Sequence, residues 1–363
     1  MRTSLAFLSS LLVAGTAAAA DPFTPWTSGE KGGVGAADLA VKLEESEFYS
    51  DRYTLEAWFE DKSRIYISYL VSNLGPGTGK LVVKSRVIDA AGNEHYFKKE
   101  VAQGGYEVSA SPFKYTAAGH TLSGSARSFS ASGTGTGFSF DLDFKSGLAP
   151  WKPGNGHAGF GVDEQGYLKT ALIQPKAVVT GSVTLGGKKA TVKGYGYVLH
   201  TSSNIAPHGT YKRFVDIRSI DGDTVVWLKQ FTMTEQFGGK TLGYLYVARG
   251  DQVLVAAGRV SLKMDKVQTD SKHANKYKVP LVITASGKRK GTEIAITIEA
   301  PSIAGREDEL ESRGAVEAAL IRQYAQPVRY SMDAKVTVTV TEAGKEPVIS
   351  SEKASYEVSH LNK

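Results

Sequence analysis

The chain has 363 residues, 41% of them hydrophobic, and this length allows two domains of ordinary size. Its 43 basic and 37 acidic residues give a formal net charge of +6, which is mild and not gathered into a stripe with aromatic side chains, so we exclude nucleic acid as a partner. The absence of cysteine excludes disulfides, thiol nucleophiles and cysteine metal sites.

Residues 1–20 have the pattern of a secretory signal peptide. Arg2 supplies a positive start, residues 5–14 form a short apolar run, and Ala18-x-Ala20 precedes Asp21 as a cleavage site. The run is too short to span a bilayer, and nothing later in the chain offers the roughly 18 apolar residues of a membrane helix. The pattern predicts cleavage near Ala20 and an exported, periplasmic mature protein.

Alternating hydrophobic residues predict antiparallel strands along the mature chain. The clearest runs with a period of two are Phe138, Phe140, Leu142 and Phe144, then residues 294–298 and 336–340. Turn signals at residues 90–94, 185–187, 286–291 and 342–346 separate such runs. One short helix is predicted at residues 314–327, where helix formers end before Pro327.

These patterns predict an all-β protein of two antiparallel barrels or half-barrels that meet near residues 186–200. A barrel of about eight strands either fills its interior with side chains or keeps room for one small ligand. The chain has 14 Phe, 17 Tyr and 4 Trp, which suffice for either arrangement, and composition alone favours a filled core.

Several motifs look like functional sites but fail on spacing. GPGTGK at residues 75–80 is not a phosphate loop, because Leu81 stands where Ser or Thr is required and a strand follows. The patterns G-x-S-x-G and H-E-x-x-H are absent. GKRKG at residues 287–291 is typical of a solvated hairpin turn, although a peripheral contact with anionic lipid headgroups stays open. No cofactor is predicted.

The stretch from Gly194 to Phe214 concentrates the candidate functional residues. It contains Gly194-x-Gly196-x-x-x-His200, then Pro207-His208 and Arg213-Phe214. A metal, a catalytic acid and a polar anchor for an apolar ligand are three uses for such a set. The spacing of His200 and His208 is not a recurring zinc-ligand spacing and no third ligand is indicated, so no metal site is predicted.

This stretch resembles the domain junction of the yeast survival-factor family. That family is a lipid-binding branch of the superfamily that includes AttH and the carotenoid 1,2-hydratases (hydroxyneurosporene synthases). The resemblance extends to residues 53–75, 172–188, 326–340 and 354–361. It implies two tandem lipocalin-like barrels, one of residues 21–193 and one of residues 194–363.

The two branches imply different activities. The survival-factor branch implies handling of a sphingolipid-type or other long-chain lipid, and the carotenoid branch implies addition of water across a terminal double bond. The hydratase pattern has Asp before the histidine and Trp two residues after it, where this chain has Leu199 and Ser202. The survival-factor pattern has Gln-Gly-Met before Pro-His, where this chain has residues 204–206.

The predicted function is binding of a hydrophobic ligand, a lipid or an isoprenoid, by an exported protein linked to lipid handling or stress survival. The ligand lies in a lipocalin-like barrel, where Arg213 and His208 bind its head group. The predicted ligand-binding residues are Tyr195, Tyr197, His200, Pro207, His208 and Arg213, with Gly194 and Gly196 as the structural junction.

Two alternatives stay open. One is a hydratase-, isomerase- or cyclase-type enzyme in which His200 donates the proton, with Asp216, Asp221 or Glu235 as its partner. The other is a structural envelope protein with filled barrels. The sequence makes no prediction about the oligomeric state.

Overall fold

The computed structural model describes residues 22–27, 32–73, 78–289, 291–311, 314, 318–319, 321–323 and 325–361. The predicted signal peptide at residues 1–20 lies outside the described residues. No helix formed by the described residues has the length and apolar character needed to cross a membrane.

Thirteen strands formed by the described residues build the first antiparallel sheet. They are β1 (Phe23–Thr24), β2 (Ser50–Phe59), β3 (Arg64–Ser72), β4 (Lys80–Ile88), β5 (Glu94–Val101), β6 (Glu107–Ala110), β7 (Phe113–Ala117), β8 (His120–Ser125), β9 (Ser128–Gly135), β10 (Phe138–Lys145), β11 (His157–Phe160), β12 (Gly166–Leu185) and β13 (Lys188–Ser203). Their order in the sheet is β5-β4-β3-β2-β13-β12-β10-β9-β8-β7-β6, and β11 pairs with both β1 and β12.

In the part of the chain that the structure describes, ten strands build the second antiparallel sheet. They are β14 (Tyr211–Ser219), β15 (Thr224–Met233), β16 (Thr241–Arg249), β17 (Gln252–Ala257), β18 (Leu262–Thr269), β19 (Lys278–Arg289), β20 (Thr292–Glu299), β21 (Gly305–Asp308), β22 (Val328–Glu342) and β23 (Val348–His360). Their order is β17-β16-β15-β14-β23-β22-β20-β19-β18, and β21 pairs with β22. The all-β prediction is confirmed, since both sheets curl into half-barrels.

Hydrophobic alternation decides which face of each strand is buried. In β10 the side chains of Phe138, Phe140, Leu142 and Phe144 are buried, whereas Asp141 and Asp143 between them are exposed. The buried face of the first sheet forms a core that includes the fully buried aromatic rings of Tyr53, Tyr69, Tyr115 and Phe129. The second sheet has its own core, rich in Val and Ile side chains. Each half-barrel is therefore packed with side chains on its inner face.

A third core joins the two half-barrels. It contains Tyr197 from the first sheet, Trp227 and Tyr244 from the second, and Trp26 from the N-terminal segment, and the partly buried Trp58 packs against it. The indole Nε1 of Trp227 donates a hydrogen bond to Pro175 O at 2.9 Å, across the domain boundary. Pro175 lies in a stretch of β12 where the pairing with β13 shifts its register, because proline has no N–H for the ladder.

The predicted boundary at residues 193/194 lies inside β13. The chain stays in the first sheet to Ser203 and enters the second at Tyr211. Gly194 and Gly196 therefore belong to a long hairpin strand. A Cβ on Gly194 would lie 1.9 Å from Trp58 O, and one on Gly196 would lie 2.3 Å from Glu56 O, so both glycines allow β2 to approach closely.

Helices are few and short among the described residues. The one-turn helices α1 (Ala36–Leu39) and α2 (Pro207–Thr210) were not predicted. Within the predicted helix at 314–327, Ala318 N donates to Gly314 O and Arg322 N donates to Ala318 O, each a helical i to i−4 bond. The remainder of that segment is only partly described. Of the two motifs that fail as functional sites, residues 75–77 and 290 lie outside the described residues, Lys80 begins β4, and Gly287, Lys288 and Arg289 belong to the end of β19.

Candidate functional site

Strand β13 distributes the predicted site residues over two opposite faces of the first sheet. Tyr195 and Tyr197 face the interdomain core. His200 shares its face with Val198, which belongs to the core of the first half-barrel. The structure thus brings the two tyrosines together and separates His200 from them.

A cleft lies between the two domains beside Tyr195. We call it the interdomain cleft; it has a volume of about 350 Å³ and is lined by residues from β2, β13, β14, β22 and β23. Its lining includes Glu56, Trp58, Tyr195, Arg218, Asp221 and Lys353. This volume is at the small end of the range for ligand sites, which is roughly 300–1,000 Å³.

Two stacked aromatic rings form one wall of the interdomain cleft. The rings of Trp58 and Tyr195 lie 5.7 Å apart with an interplanar angle of 16°. They are direct partners across the β2–β13 pairing. Burial, together with the Asp221 carboxylate, raises the pKa of Tyr195 to about 12, so its hydroxyl is neutral at physiological pH. Stacked rings with a neutral hydroxyl suit an apolar or aromatic molecular surface.

A network of hydrogen bonds and ion pairs lies next to these rings. The Arg218 guanidinium donates to the hydroxyl of Tyr197, which in turn donates to Glu56 Oε2 at 2.9 Å. The Nε of Arg218 lies 3.5 Å from Asp216 Oδ1. Lys229 Nζ is 2.9 Å from the other oxygen of Asp216.

The charges in this network offset the effect of burial on the pKa values of Asp216 and Arg218. Burial alone raises the pKa of Asp216, but the neighbouring Lys229 and Arg218 cations bring it below its usual value. Burial is also the largest influence on Arg218 and lowers its pKa, yet Tyr197, Asp216 and Glu56 together raise it well above the usual value. Asp216 and Arg218 therefore remain charged, with Arg218 facing the interdomain cleft.

His200 lies in a separate buried site. Its Nδ1 donates to Asp38 O at 2.7 Å, and its Nε2 is 2.9 Å from Asp51 Oδ1. The imidazole also stacks on Tyr53, with ring centroids 4.2 Å apart. His200 is 7% exposed and Asp51 is 2% exposed. The pair connects α1, β2 and β13, on the opposite face of β13 from the interdomain cleft.

The other predicted ligand-binding residues are apart from both sites. Pro207 and His208 lie in α2, where the His208 ring makes an edge contact with Phe48 at 6.3 Å. Arg213 lies in β14 on the same face as Val215, a core residue of the second half-barrel, and its Nη2 is 3.6 Å from Met264 Sδ. The predicted ligand-binding residues are therefore divided among the interdomain core, the buried His200 site, α2 and the inner face of β14.

Arg213 has a histidine neighbour that sequence reasoning missed. His360 is its partner across the β14–β23 pairing, and the imidazole stacks on Tyr277 with centroids 4.3 Å apart. Burial, reinforced by the Arg213 guanidinium, lowers the pKa of His360 to about 4. Nothing in the sequence around His360, at the end of the last strand, indicates that its side chain is buried.

We expect His360 to make the protein less stable in mild acid. Its pKa is about 4 when folded and 6.5 without the fold, so between these values the unfolded chain binds more protons. Above pH 6.5 His360 is neutral in both states and the free energy of unfolding has its full value. As the pH falls towards 4, the free energy of unfolding decreases by an amount on the order of 3 kcal/mol. Urea unfolding of wild type and His360→Phe at pH 7.5, 6 and 5 measures this, and the variant should lose less stability on acidification. Parallel pH profiles would contradict the assignment.

Comparison with solved structures identifies the fold. Neither a protein-family model nor a curated protein sequence matches the chain. Several solved structures do match, and the fold is that of AttH-like proteins.

Three structures illustrate the match. A protein assigned as AttH from Nitrosomonas europaea is 12% identical with a TM-score of 0.53, covering 88% of this chain and 97% of that chain. CghA is 8% identical with a TM-score of 0.57, covering 94% of this chain and 99% of that chain. Kievitone hydratase from Nectria haematococca is 12% identical with a TM-score of 0.52, covering 92% of this chain and 97% of that chain.

The resemblance read from the sequence is confirmed at the level of the fold. The survival-factor branch stays a prediction, because identities this low show the fold alone. The binding or catalytic role must therefore be argued from the residues of this chain.

Proposed function

We propose that the protein binds a compact, mainly apolar small molecule that carries one polar group, and that the interdomain cleft is the binding site. An isoprenoid-type ligand fits this description. The observation that supports the proposal is the juxtaposition of the Trp58–Tyr195 stack with the Arg218–Tyr197–Glu56 network in one cleft.

The aromatic wall would supply most of the affinity. An apolar ligand that lies on Trp58 and Tyr195 removes its own surface and theirs from water. This burial stabilises the complex by about 25 cal/mol for each Å² of apolar surface. Ring contacts add about 0.5–1.5 kcal/mol when the ligand is aromatic or unsaturated.

The polar network would fix the orientation of the ligand. Glu56 accepts and Arg218 donates hydrogen bonds, so a hydroxyl or carbonyl on the ligand finds a partner in the lining of the cleft. Because Tyr197 and Asp216 hold Arg218 in place, little side-chain entropy is lost on binding.

The interdomain cleft replaces the barrel interior as our proposed ligand site. The inner faces of both half-barrels are covered by buried side chains, which an apolar tail would have to displace. Binding between the domains needs no such displacement. We retain the exported, periplasmic location as part of the proposal, and no partner beyond the small molecule is included.

The proposal is tested with farnesol and geraniol as probes. We expect Trp58→Ala to raise the dissociation constant for farnesol roughly tenfold or more, because it removes one ring of the stacked wall. Isothermal titration calorimetry measures the affinity, and native mass spectrometry of protein purified from its own host detects a co-purifying apolar molecule.

Tyr96→Ala is the matched control, since Tyr96 is an aromatic residue that is 51% exposed on β5 and should leave the affinity unchanged. The proposal fails if no apolar molecule co-purifies and neither probe binds wild type. It also fails if both variants bind farnesol as tightly as wild type does. Either result would favour a structural protein with filled barrels.

A proton-transfer enzyme is the second candidate function. The specific observation is that Glu56, a carboxylate in the cleft lining, accepts a hydrogen bond from Tyr197 beside the Arg218 cation. A carboxylate held in this way can act as a general base that accepts a proton from a bound ligand and returns it to another atom of the same ligand. Product analysis of the same farnesol incubations, by mass spectrometry, distinguishes turnover from binding.

A further inference from the structure

A second cleft lies against the N-terminal segment and contains Phe23 and Leu242 of the third core in its lining. We call it the N-terminal cleft; it has a volume of about 670 Å³ and is lined by Phe23, Pro25, residues 240–243, residues 258–261 and Ser286. Residues 258–261 connect β17 to β18, which are the two end strands of the second sheet. None of its lining residues is shared with the interdomain cleft.

The floor of the N-terminal cleft is apolar and preformed. Phe23 is 4% exposed and Leu242 is 2% exposed. Trp26 holds the two sides together, since its indole Nε1 lies 3.0 Å from Gly243 O and 2.8 Å from Gly258 O. A Cβ on Gly258 would lie 2.4 Å from Thr27 O, so glycine is needed for the N-terminal segment to pass this close.

The rim of the same cleft is cationic. Lys240 and Arg259 are both exposed, and the lining given by the described residues contains no carboxylate. Arg259 makes no ion pair or hydrogen bond with any residue in the part of the chain that the structure describes. Arg86, Arg218, Arg306 and Arg329, by contrast, each have an acidic partner among those residues. The hydroxyl-bearing residues Thr241, Ser261 and Ser286 complete the rim.

We propose that the N-terminal cleft binds a short-chain amphiphile with one anionic head group. The apolar tail lies on Phe23, Leu242 and Val260, where each buried methylene contributes about 0.8 kcal/mol. The head group receives charge-assisted hydrogen bonds from Arg259, whose guanidinium geometry suits the two oxygens of a carboxylate. This site is independent of the interdomain cleft.

Isothermal titration calorimetry with three probes tests the combination of tail and charge. Decanoate carries both features, 1-decanol carries only the tail, and acetate carries only the charge. We expect wild type to bind decanoate at least tenfold more tightly than either of the others. Equal binding of decanoate and 1-decanol would overturn the anionic specificity.

Substitutions at the rim locate the site. Arg259→Ala should weaken decanoate binding roughly tenfold or more, and Arg259→Glu should make decylammonium the preferred ligand over decanoate. Lys189→Ala is the matched control, because it removes the same charge from an exposed position at the start of β13 and should leave the affinity unchanged. Thermal unfolding should be unchanged in all three variants, since Arg259 has no partner among the described residues.

The outcome also separates this site from the interdomain cleft. Trp58→Ala should bind decanoate as wild type does, because Trp58 does not line the N-terminal cleft. If Arg259→Ala retains full decanoate affinity, the assignment is overturned. If Trp58→Ala loses it, decanoate binds in the interdomain cleft and the second site is refuted.

Discussion

Replacing Trp26 with alanine is expected to lower the free energy of unfolding by about 3–5 kcal/mol, the range for a large aromatic removed from a core. Trp26 is 0% exposed and contacts Tyr244, with ring centroids 6.2 Å apart. Its indole N–H also serves two carbonyl oxygens, those of Gly243 and Gly258. The substitution leaves a cavity between the domains and leaves both carbonyls without this donor.

Chemical denaturation of the two variants Trp26→Ala and Trp26→Phe separates these contributions. Phenylalanine keeps part of the apolar contact and loses both hydrogen bonds, so its loss of stability should be intermediate. Tyr96→Ala serves as the control, since this aromatic residue is 51% exposed and its removal should cost less than about 0.5 kcal/mol. A Trp26→Ala protein as stable as the control would show that the N-terminal segment does not hold the domains together.

The strands could be predicted because their signal is local. In β10 and β22, alternate side chains are buried and exposed with a period of two, which is visible in the sequence itself. The pairing of β2 with β13 is not local, because Trp58 and Tyr195 are far apart in the chain and meet only through the sheet register. The sequence analysis therefore named Tyr195 as a candidate but did not single out Trp58, Glu56 and Arg218, which line the same cleft.

The grouping of His200 with the two tyrosines could have been tested from the sequence alone. On one strand, residues at odd and even positions face opposite sides. Tyr195 and Tyr197 therefore share a face, and His200 must lie on the other. The end of the long strand β13 was harder to predict, because a glycine such as Gly194 reads as a break in a strand when its close contact with β2 is not yet known.

Breaking the buried Asp51–His200 pair is expected to destabilise the protein without affecting ligand binding. The Asp38 carbonyl can only accept, so Nδ1 of His200 carries a hydrogen, and Nε2 faces the Asp51 carboxyl. Either Asp51→Leu or His200→Leu leaves one polar group buried without its partner, which costs about 3–5 kcal/mol. Both variants are measured by urea unfolding, with farnesol affinity as the second readout.

The double variant decides whether the two residues act as a pair. Asp51→Leu/His200→Leu removes both polar groups together, so its loss of stability should be smaller than the sum of the single losses by about 1–3 kcal/mol. Additive losses would mean that the two side chains contribute separately. Because His200 lies across β13 from Tyr195, each folded variant should bind farnesol within about twofold of wild type. A folded His200→Leu protein that no longer binds or converts farnesol would instead return His200 to the functional site, as the sequence resemblance implied.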